Sequence, residues 1–387
     1  MRHRFQKREA ESGPEPHQEA RENFTPRVVT QQAAPELRPR VAIVVAGPDI
    51  LGGQGVQART LVEHLRDDGW RLRFIPIDPR FPRGLGWVRR IPYLRTALNQ
   101  ALYLPSLAAL RHVDTAHVFS ASYWSFLLAP LPAMLAAKLF GKRVILNYHS
   151  GEAEDHLAHW GVLVHPWLKL ADEIVVPSVY LQRVFARHGY VARVIVNVID
   201  TSRFRYRERT AVKPRLLSTR NFESHYRVEV VLRAFSLVRE RHPQATLTVA
   251  GVGSEEEKLR RLAAQLAPEA IRFTGRVEPA HMPALLNEAD LFVNASVVDN
   301  QPLSILEAFA AGLPVVSTAT GDISAMVRDG ETGLTVPRDD PVAMAEAVCA
   351  LLANPERALY LARRAHEEME RHTWARVGQQ WAAVYAT

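Results

Sequence analysis

Short apolar runs alternate along the chain with longer stretches in which apolar residues recur at helical spacing. After the first run, a glycine-rich turn leads into a stretch that places Leu61, Val62 and Leu65 on one helical face. This alternation predicts an α/β fold, with parallel β-strands joined by helices. In the first half, the predicted strands are 40–46, 70–77, 114–120, 143–147, 173–177 and 194–197.

The same alternation restarts after a charged and irregular linker at 201–214. Because such a linker marks a domain boundary, we predict two domains, at 39–200 and 205–369. The strands predicted in the second half are 215–220, 245–251, 271–276, 291–293 and 315–317.

Residues 1–38 differ from the rest of the chain, since they mix Arg, Glu, Gln and Pro with few apolar positions. A segment of this composition does not bury enough apolar surface to fold, so we predict a disordered tail. It also lacks the apolar stretch of a secretory signal.

Composition narrows the class of protein. With 387 residues, 47% of them hydrophobic, the chain has enough apolar surface for a large core. Cys349 is the only cysteine, which indicates a reducing compartment and no internal disulfide. The formal net charge of +7 favours acidic partners, either nucleotide phosphates or an anionic membrane surface. Nucleic acid is not expected, because no zinc-ligand spacing, RNA-recognition signature or dense basic block is present.

The segment 294–320 carries the most chemistry. Its pattern predicts the end of a strand, a polar loop, a short helix that begins at Pro302, and a second strand after Gly312. Ligands of parallel sheets bind at the carboxyl ends of the strands. The unpaired N–H groups of Leu303 and Ser304 at the helix start are therefore suited to hold a phosphate.

Two carboxylates flank this predicted phosphate site. Glu307, about one turn into the helix, is suited to accept hydrogen bonds from both vicinal hydroxyls of a ribose. Asp299 precedes the helix, on the loop beside the far end of a nucleotide diphosphate. The alternative interpretation is that Glu307 is a solvated helix residue and Asp299 an ordinary turn residue.

This segment resembles the C-terminal domain of retaining glycosyltransferases of family 4. The resemblance rests on an acidic residue, seven intervening positions, Glu-Ala, and a small-residue helix that ends in Gly-x-Pro-Val. Here the acidic residue is Asp rather than the usual Glu, and Asn-Gln-Pro follows it where the family has Gly-Phe-Gly. The matching positions are Asp299, Glu307-Ala308 and Gly312-Leu313-Pro314-Val315.

The resemblance covers about 40–387 and implies a GT-B fold, in which two Rossmann-like domains face a central cleft. The N-terminal domain is expected to face the acceptor and the C-terminal domain to bind the nucleotide sugar. It further implies that the final segment, about 370–387, crosses back to the N-terminal domain.

By the same resemblance, the predicted catalytic residues are Asp299, His149 and Arg220. Arg220 ends a predicted strand, where a guanidinium bridges two phosphate oxygens. The family has a Lys shortly after this Arg, and because this chain lacks it, we predict that Arg227, in preference to His225, supplies the second charge. The predicted donor-binding set is Gly52, Gly53, Arg220, Arg227, Gln301, Leu303, Ser304 and Glu307.

A basic and aromatic segment beginning at Phe81 departs from regular α/β patterning. It interleaves Arg89 and Arg90 with Trp87 and Tyr93, a mixture that suits an anionic membrane interface. The alternative is an amphipathic helix that packs on the sheet and leaves its basic face in solvent.

The sequence therefore predicts a retaining glycosyltransferase of cytoplasmic location, peripheral at the inner face of the plasma membrane. Its donor is expected to be a nucleotide sugar, with a UDP-sugar favoured, and its acceptor a lipid-linked, envelope or exopolysaccharide saccharide. No metal or other cofactor is expected, because positive charge and helix N–H groups stabilise the departing diphosphate. The alternatives are a nucleotide-sugar epimerase or phosphorylase on the same fold, or a nucleotide-sugar-binding protein that has lost catalysis.

Overall fold

The computed structural model describes residues 38–47, 53–120 and 122–387, and within them two six-stranded parallel sheets. The predicted tail lies outside the described residues, except for Arg38. The first sheet and its helices are formed by β1 (Val41–Val45), α1 (Gly53–Asp67), β2 (Leu72–Pro76), α2 (Pro92–Ser106), β3 (Thr115–Ser120), α3 (Trp124–Leu128), α4 (Pro130–Leu139), β4 (Arg143–Tyr148), α5 (Ala153–His159), α6 (Gly161–Leu168), β5 (Glu173–Val176), α7 (Val179–Arg187) and β6 (Arg193–Val194).

The second sheet repeats the alternation of strands and helices. Its elements are β7 (Arg215–Thr219), α8 (Val228–Arg241), β8 (Thr246–Ala250), α9 (Glu256–Leu266), β9 (Ile271–Gly275), α10 (Met282–Glu288), β10 (Leu291–Asn294), α11 (Leu303–Ala310), β11 (Val315–Thr318), α12 (Ile323–Met326), β12 (Leu334–Val336), α13 (Pro341–Ala353) and α14 (Pro355–Glu367). The chain then ends in α15 (Trp374–Ala386).

Both sheets follow a doubly wound order, β2-β1-β3-β4-β5-β6 in the first and β12-β11-β10-β7-β8-β9 in the second. Helices cover both faces of such sheets, so the central strands are buried along their whole length and are mostly apolar. All five residues of β1 are buried, as are all four of β10 and of β11. Since helices cover the faces of both sheets, a ligand is expected to bind at the carboxyl ends of the strands.

The last strand of the first half is shorter than the sequence predicts. The apolar run at 194–197 predicts a strand, yet β6 contains only Arg193 and Val194. The backbone of Asn197 is bound elsewhere, because its N–H donates to Gln301 Oε1 (2.7 Å) and its carbonyl oxygen lies 2.8 Å from His372 Nδ1. These tertiary hydrogen bonds replace the sheet ladder and turn the chain toward the second half.

Helix α15 packs against the first sheet, although it follows the second in sequence. Trp381 stacks on the buried His117 with ring centroids 4.6 Å apart, and Tyr385 Oη lies 2.7 Å from His117 Nδ1. At its other end, Trp374 Nε1 donates to Asp68 Oδ2 (3.0 Å). The two sheets and the returning helix confirm the GT-B architecture expected from the sequence. No helix in the described ranges is long and apolar enough to cross a membrane.

Candidate active site

A cleft of about 760 Å³ lies at the carboxyl ends of the strands of both sheets. Segments that directly follow strands supply its walls, as expected for a doubly wound sheet. The first half contributes residues after β1, β4 and β6, and the second half contributes residues after β7, β8, β9 and β10. Within the described residues, the cleft contains these predicted site residues: Gly53, His149, Arg220, Asp299, Gln301, Leu303, Ser304 and Glu307.

Arg220 occupies the centre of the second-half wall. It follows β7 directly, and its guanidinium forms an ion pair with Asp299 and donates to Ser304 Oγ (3.0 Å). The guanidinium carbon also lies 4.0 Å from the ring centroid of Tyr226, a cation–π contact. Its Nε is buried and has no hydrogen-bond partner in the part of the chain that the structure describes. Asp299, Ser304 and Tyr226 thus hold the Arg220 guanidinium in one orientation at the wall of the cleft.

Helix α11 begins beside Arg220 and directs its amino end into the cleft. Pro302 is its N-cap, and since proline has no N–H, the first donors available are those of Leu303 and Ser304. Both residues line the cleft. The positive end of the helix dipole and the guanidinium therefore attract an anion to the same place.

Glu307 lies one turn further along α11 and also lines the cleft. Burial raises the pKa of its carboxyl group to about 7, although Arg203 and Arg220 both favour the charged form. The desolvation effect is thus larger than the attraction of the two arginines.

His149 stands on the opposite wall, immediately after β4. Its ring stacks on Phe119 with centroids 5.4 Å apart. Burial lowers the pKa of His149 to about 4, so the imidazole is neutral at physiological pH. A neutral imidazole offers one donor and one acceptor to a ligand without adding charge.

Two glycines fix the Asp299 loop between the walls. A Cβ on Gly321, which has a φ of 52°, would lie 1.9 Å from the Asp299 carbonyl oxygen. A Cβ on Gly151, from the first-half wall, would lie 3.0 Å from the Asp299 carbonyl carbon. The loop approaches both segments so closely that only glycine fits without a shift.

Comparison with known proteins identifies the family of this chain. Two family models match the chain, Glycosyltransferase Family 4 over residues 51–203 and Glycosyl transferases group 1 over residues 213–354. Phosphatidyl-myo-inositol mannosyltransferase of Mycobacterium leprae is 30% identical over 268 residues, which span 67% of this chain and 71% of that protein. The chain belongs to glycosyltransferase family 4.

Other relatives of this glycosyltransferase differ in what their names say they make. Glycogen synthase of Mycobacterium tuberculosis is 30% identical over 274 residues, 66% of this chain and 65% of that protein. Among solved structures, Anabaena HepE in complex with UDP and glucose gives a TM-score of 0.69 at 16% identity, covering 90% of this chain and 100% of that one. This last likeness supports the GT-B fold alone.

The prediction for Arg227 needs correction. Arg227 has a φ of 48° after a short 3₁₀ turn, and its guanidinium pairs with Asp339 (3.0 Å) and Glu229 (3.4 Å) rather than lining the cleft. His225, the residue set aside in its favour, does line the cleft. The 3₁₀ turn Ser224–Tyr226 ends at Arg227, and the ion pairs with Asp339 and Glu229 hold the arginine side chain away from the cleft.

Gln301 lines the cleft, but its side chain joins the two halves of the glycosyltransferase. Its Oε1 accepts from the Asn197 N–H (2.7 Å), and its carbonyl oxygen accepts from Asn197 Nδ2 (3.0 Å). Gln301 thus links the two walls, and its predicted contact with the donor stays a prediction. Gly53 lines the cleft as predicted, and Gly52 lies outside the described residues.

The sequence interpretation missed two features of the glycosyltransferase. Tyr226 supports the guanidinium of Arg220, and Ser178 Oγ donates to Asn300 Oδ1 (2.5 Å) across the two halves. An aromatic residue soon after the strand-terminal arginine was the available signal for Tyr226. No pattern in the sequence pairs Ser178 with Asn300, because the two residues meet only through tertiary folding.

No group of three or more His, Cys, Asp or Glu side chains that could hold a metal ion occurs among the described residues. That glycosyl transfer here needs no metal stays a prediction, based on the positive charge of Arg220 and the amino end of α11.

Proposed function

We propose that this glycosyltransferase moves a sugar from a nucleotide diphosphate sugar to an acceptor hydroxyl, with retention of configuration at the anomeric carbon. The observation that carries the proposal is the Arg220 guanidinium, which lines the cleft and donates to Ser304 Oγ in the first turn of α11. A fixed guanidinium and helix N–H groups together match a diphosphate. A UDP-sugar is favoured, and UDP is the nucleotide bound in the Anabaena structure.

In the proposed reaction, the bond between the anomeric carbon and the diphosphate oxygen breaks, and a bond to the acceptor oxygen forms on the same face. The proton of the acceptor hydroxyl passes to the departing diphosphate. Negative charge grows on the diphosphate as it leaves, and Arg220 with the N–H groups of Leu303 and Ser304 stabilises it. Glu307 is placed to accept hydrogen bonds from the ribose hydroxyls. Asp299 and the neutral His149 position the sugar from opposite sides of the cleft.

The acceptor is proposed to be a lipid-linked, envelope or exopolysaccharide saccharide, modified by a cytoplasmic enzyme at the inner face of the plasma membrane. The surface around α2 supports this location. Tyr93 is 91% exposed there, Trp87 and Ile91 are also exposed, and Arg89 and Arg90 lie at the end of the adjacent 3₁₀ turn. Exposed rings beside arginines suit an anionic lipid headgroup layer.

The reaction is tested with a panel of UDP-, GDP- and ADP-sugars and soluble saccharide acceptors. We expect one nucleotide class to be turned over, and NMR of the product to show the anomeric configuration of the donor. An inverted product contradicts retention. Nucleotide-sugar binding without turnover, in the presence of every acceptor, identifies instead a binding protein that has lost catalysis.

The membrane location is tested by flotation with anionic vesicles. The double variant Arg89→Glu/Arg90→Glu is expected to lose flotation, because each basic residue near the surface contributes about 1 kcal/mol of attraction. The matched control Arg260→Glu/Arg261→Glu reverses two adjacent charges on α9 in the other half of the chain and should float as the wild type does. Equal behaviour of the two variants contradicts the proposed location.

A further inference from the structure

A second cavity, of about 440 Å³, adjoins the cleft on its first-half side. Four residues line both spaces: Gln54, His149, Ser150 and Glu152. The second cavity continues from these residues to the segment between β3 and α3, which includes Ser122, Tyr123 and Trp124. A ligand there would share the His149 wall with a sugar held in the cleft.

The lining of this second cavity is polar but carries no positive charge. Apart from His149, its polar side-chain groups are serine hydroxyls, the Gln54 amide, the Glu152 carboxylate, the Tyr123 hydroxyl and the Trp124 indole N–H. His149 is neutral at physiological pH, and no Lys or Arg lines the cavity among the described residues. This lining favours neutral hydroxyl groups and disfavours phosphate or carboxylate groups.

Tyr123 and Trp124 form an aromatic wall of the second cavity. Trp124 is 65% exposed, and Trp160 supports its ring edge-on with centroids 5.3 Å apart. Tyr123 Oη donates to Asp155 Oδ2 (2.6 Å), and its backbone has a φ of 55°, which is unusual for a bulky residue. A strained tyrosine and a supported, exposed tryptophan beside a polar cavity are typical of a ligand site.

We infer that the second cavity binds an uncharged saccharide ring of the acceptor. The Trp124 and Tyr123 rings contact its apolar C–H face, and the serines, Gln54 and Glu152 bind its hydroxyls. This inference rests on the proposed function, since it assigns the acceptor of that reaction. It distinguishes a neutral glycan from a phosphorylated acceptor headgroup, which would need a cation at this place.

The test measures glycan binding to the full-length protein without donor, on an array of neutral and of phosphorylated or uronic oligosaccharides. We expect binding to neutral glycans, weakened about tenfold by Trp124→Ala, because one aromatic contact is worth up to about 1.5 kcal/mol. Trp124→Phe keeps a ring and should recover most of the affinity. Tyr360→Ala, which removes an exposed aromatic side chain on α14, should bind as the wild type does.

The thermal shift produced by UDP separates this site from the donor site. Trp124 lines the second cavity and not the cleft, so its replacement should leave that shift unchanged. Binding of anionic glycans only, binding of none, or equal binding by the wild type and Trp124→Ala overturns the inference. If neutral glycans bind but no nucleotide sugar is bound or turned over, the proposed function fails and the saccharide site stands.

Discussion

The two walls of the cleft are built from different chemistry. The second-half wall is charged and interlocked, since Arg220 contacts Asp299, Ser304 and Tyr226 at once. The first-half wall carries no positive charge and, apart from the Glu152 carboxylate, is neutral and aromatic, with the uncharged His149 and the exposed Trp124. A diphosphate needs fixed positive charge, whereas a saccharide needs hydroxyl partners and an aromatic face. On the proposed function, the charged wall binds the diphosphate of the donor and the other wall binds a saccharide.

The largest effect is expected on the charged wall. Arg220→Ala should lower kcat/KM for the nucleotide sugar by about 10²–10³-fold, the usual cost of removing a group that stabilises charge in the transition state. Arg227→Ala is the matched control, because this arginine follows in the same loop but pairs with Asp339 outside the cleft. Initial rates with the preferred donor give the comparison. Equal losses in the two variants contradict the assignment of Arg220.

The difference between the walls also explains what the sequence predicts well. The charged wall is largely contiguous, because Asp299, Leu303, Ser304 and Glu307 fall within nine residues of each other on one loop and helix. Apolar periodicity predicts most strands of both sheets, since central parallel strands are buried on both faces. Local sequence patterns therefore predict the fold and most residues of the charged wall.

The remaining features depend on contacts between distant segments. Gln301 meets Asn197 across 104 positions of sequence, and the orientation of Arg227 follows from a short 3₁₀ turn. The aromatic wall combines residues after β3 with Trp160, which lies between α5 and α6. No local pattern encodes such encounters, because they arise only when the sheets and helices pack.

The Asp299 loop is the part of the charged wall most sensitive to shape. Gly321→Ala should destabilise the protein by roughly 1–3 kcal/mol more than Gly330→Ala, because its Cβ would overlap the Asp299 carbonyl oxygen. Both glycines have positive φ, 52° and 72°, but a Cβ on Gly330 meets nothing within 4 Å. Gly330→Ala thus adds a side chain at a positive φ, as Gly321→Ala does, but without a steric overlap.

Urea unfolding of both glycine variants measures this difference, and the UDP thermal shift reports on the site. We expect Gly321→Ala to bind UDP more weakly, since the displaced loop carries the partner of Arg220. Equal stability losses would show that the loop moves aside without cost and that its position is not fixed by this contact.

A smaller effect is expected for Glu307, whose pKa is raised to about 7 by burial. A raised carboxyl pKa stabilises the folded protein at low pH, and this contribution is lost as the pH rises from about 4.3 toward and beyond 7. Glu307→Gln removes that loss. Relative to the wild type, the free energy of unfolding of the ligand-free variant should therefore rise by about 1–2 kcal/mol from pH 5 to pH 8. Thermal unfolding at both pH values measures the gain.

Nucleotide binding should respond to Glu307→Gln in the opposite direction. The carboxylate accepts two hydrogen bonds from a ribose, whereas the amide has one acceptor oxygen, so UDP should bind more weakly at pH 8. Glu356→Gln replaces an exposed carboxylate in the first turn of α14 and should change neither property. A Glu307→Gln variant that matches the wild type in stability at both pH values and binds UDP as tightly would mean that this carboxylate faces bulk solvent.

The smallest effect is expected on the neutral wall. Tyr123→Phe removes the hydrogen bond from Tyr123 Oη to Asp155 Oδ2 and keeps the ring. Because that bond is exposed, the stability change should be about 0.5 kcal/mol or less. This hydrogen bond is the main cause that lowers the pKa of Asp155, so NMR titration should show that pKa rising toward its ordinary value. Neutral-glycan affinity should be nearly unchanged, because the aromatic face that contacts the sugar remains. A large loss of glycan affinity would instead show that the Tyr123 hydroxyl binds the glycan. Recognition at this wall would then depend on polar contacts, as it does at the charged wall.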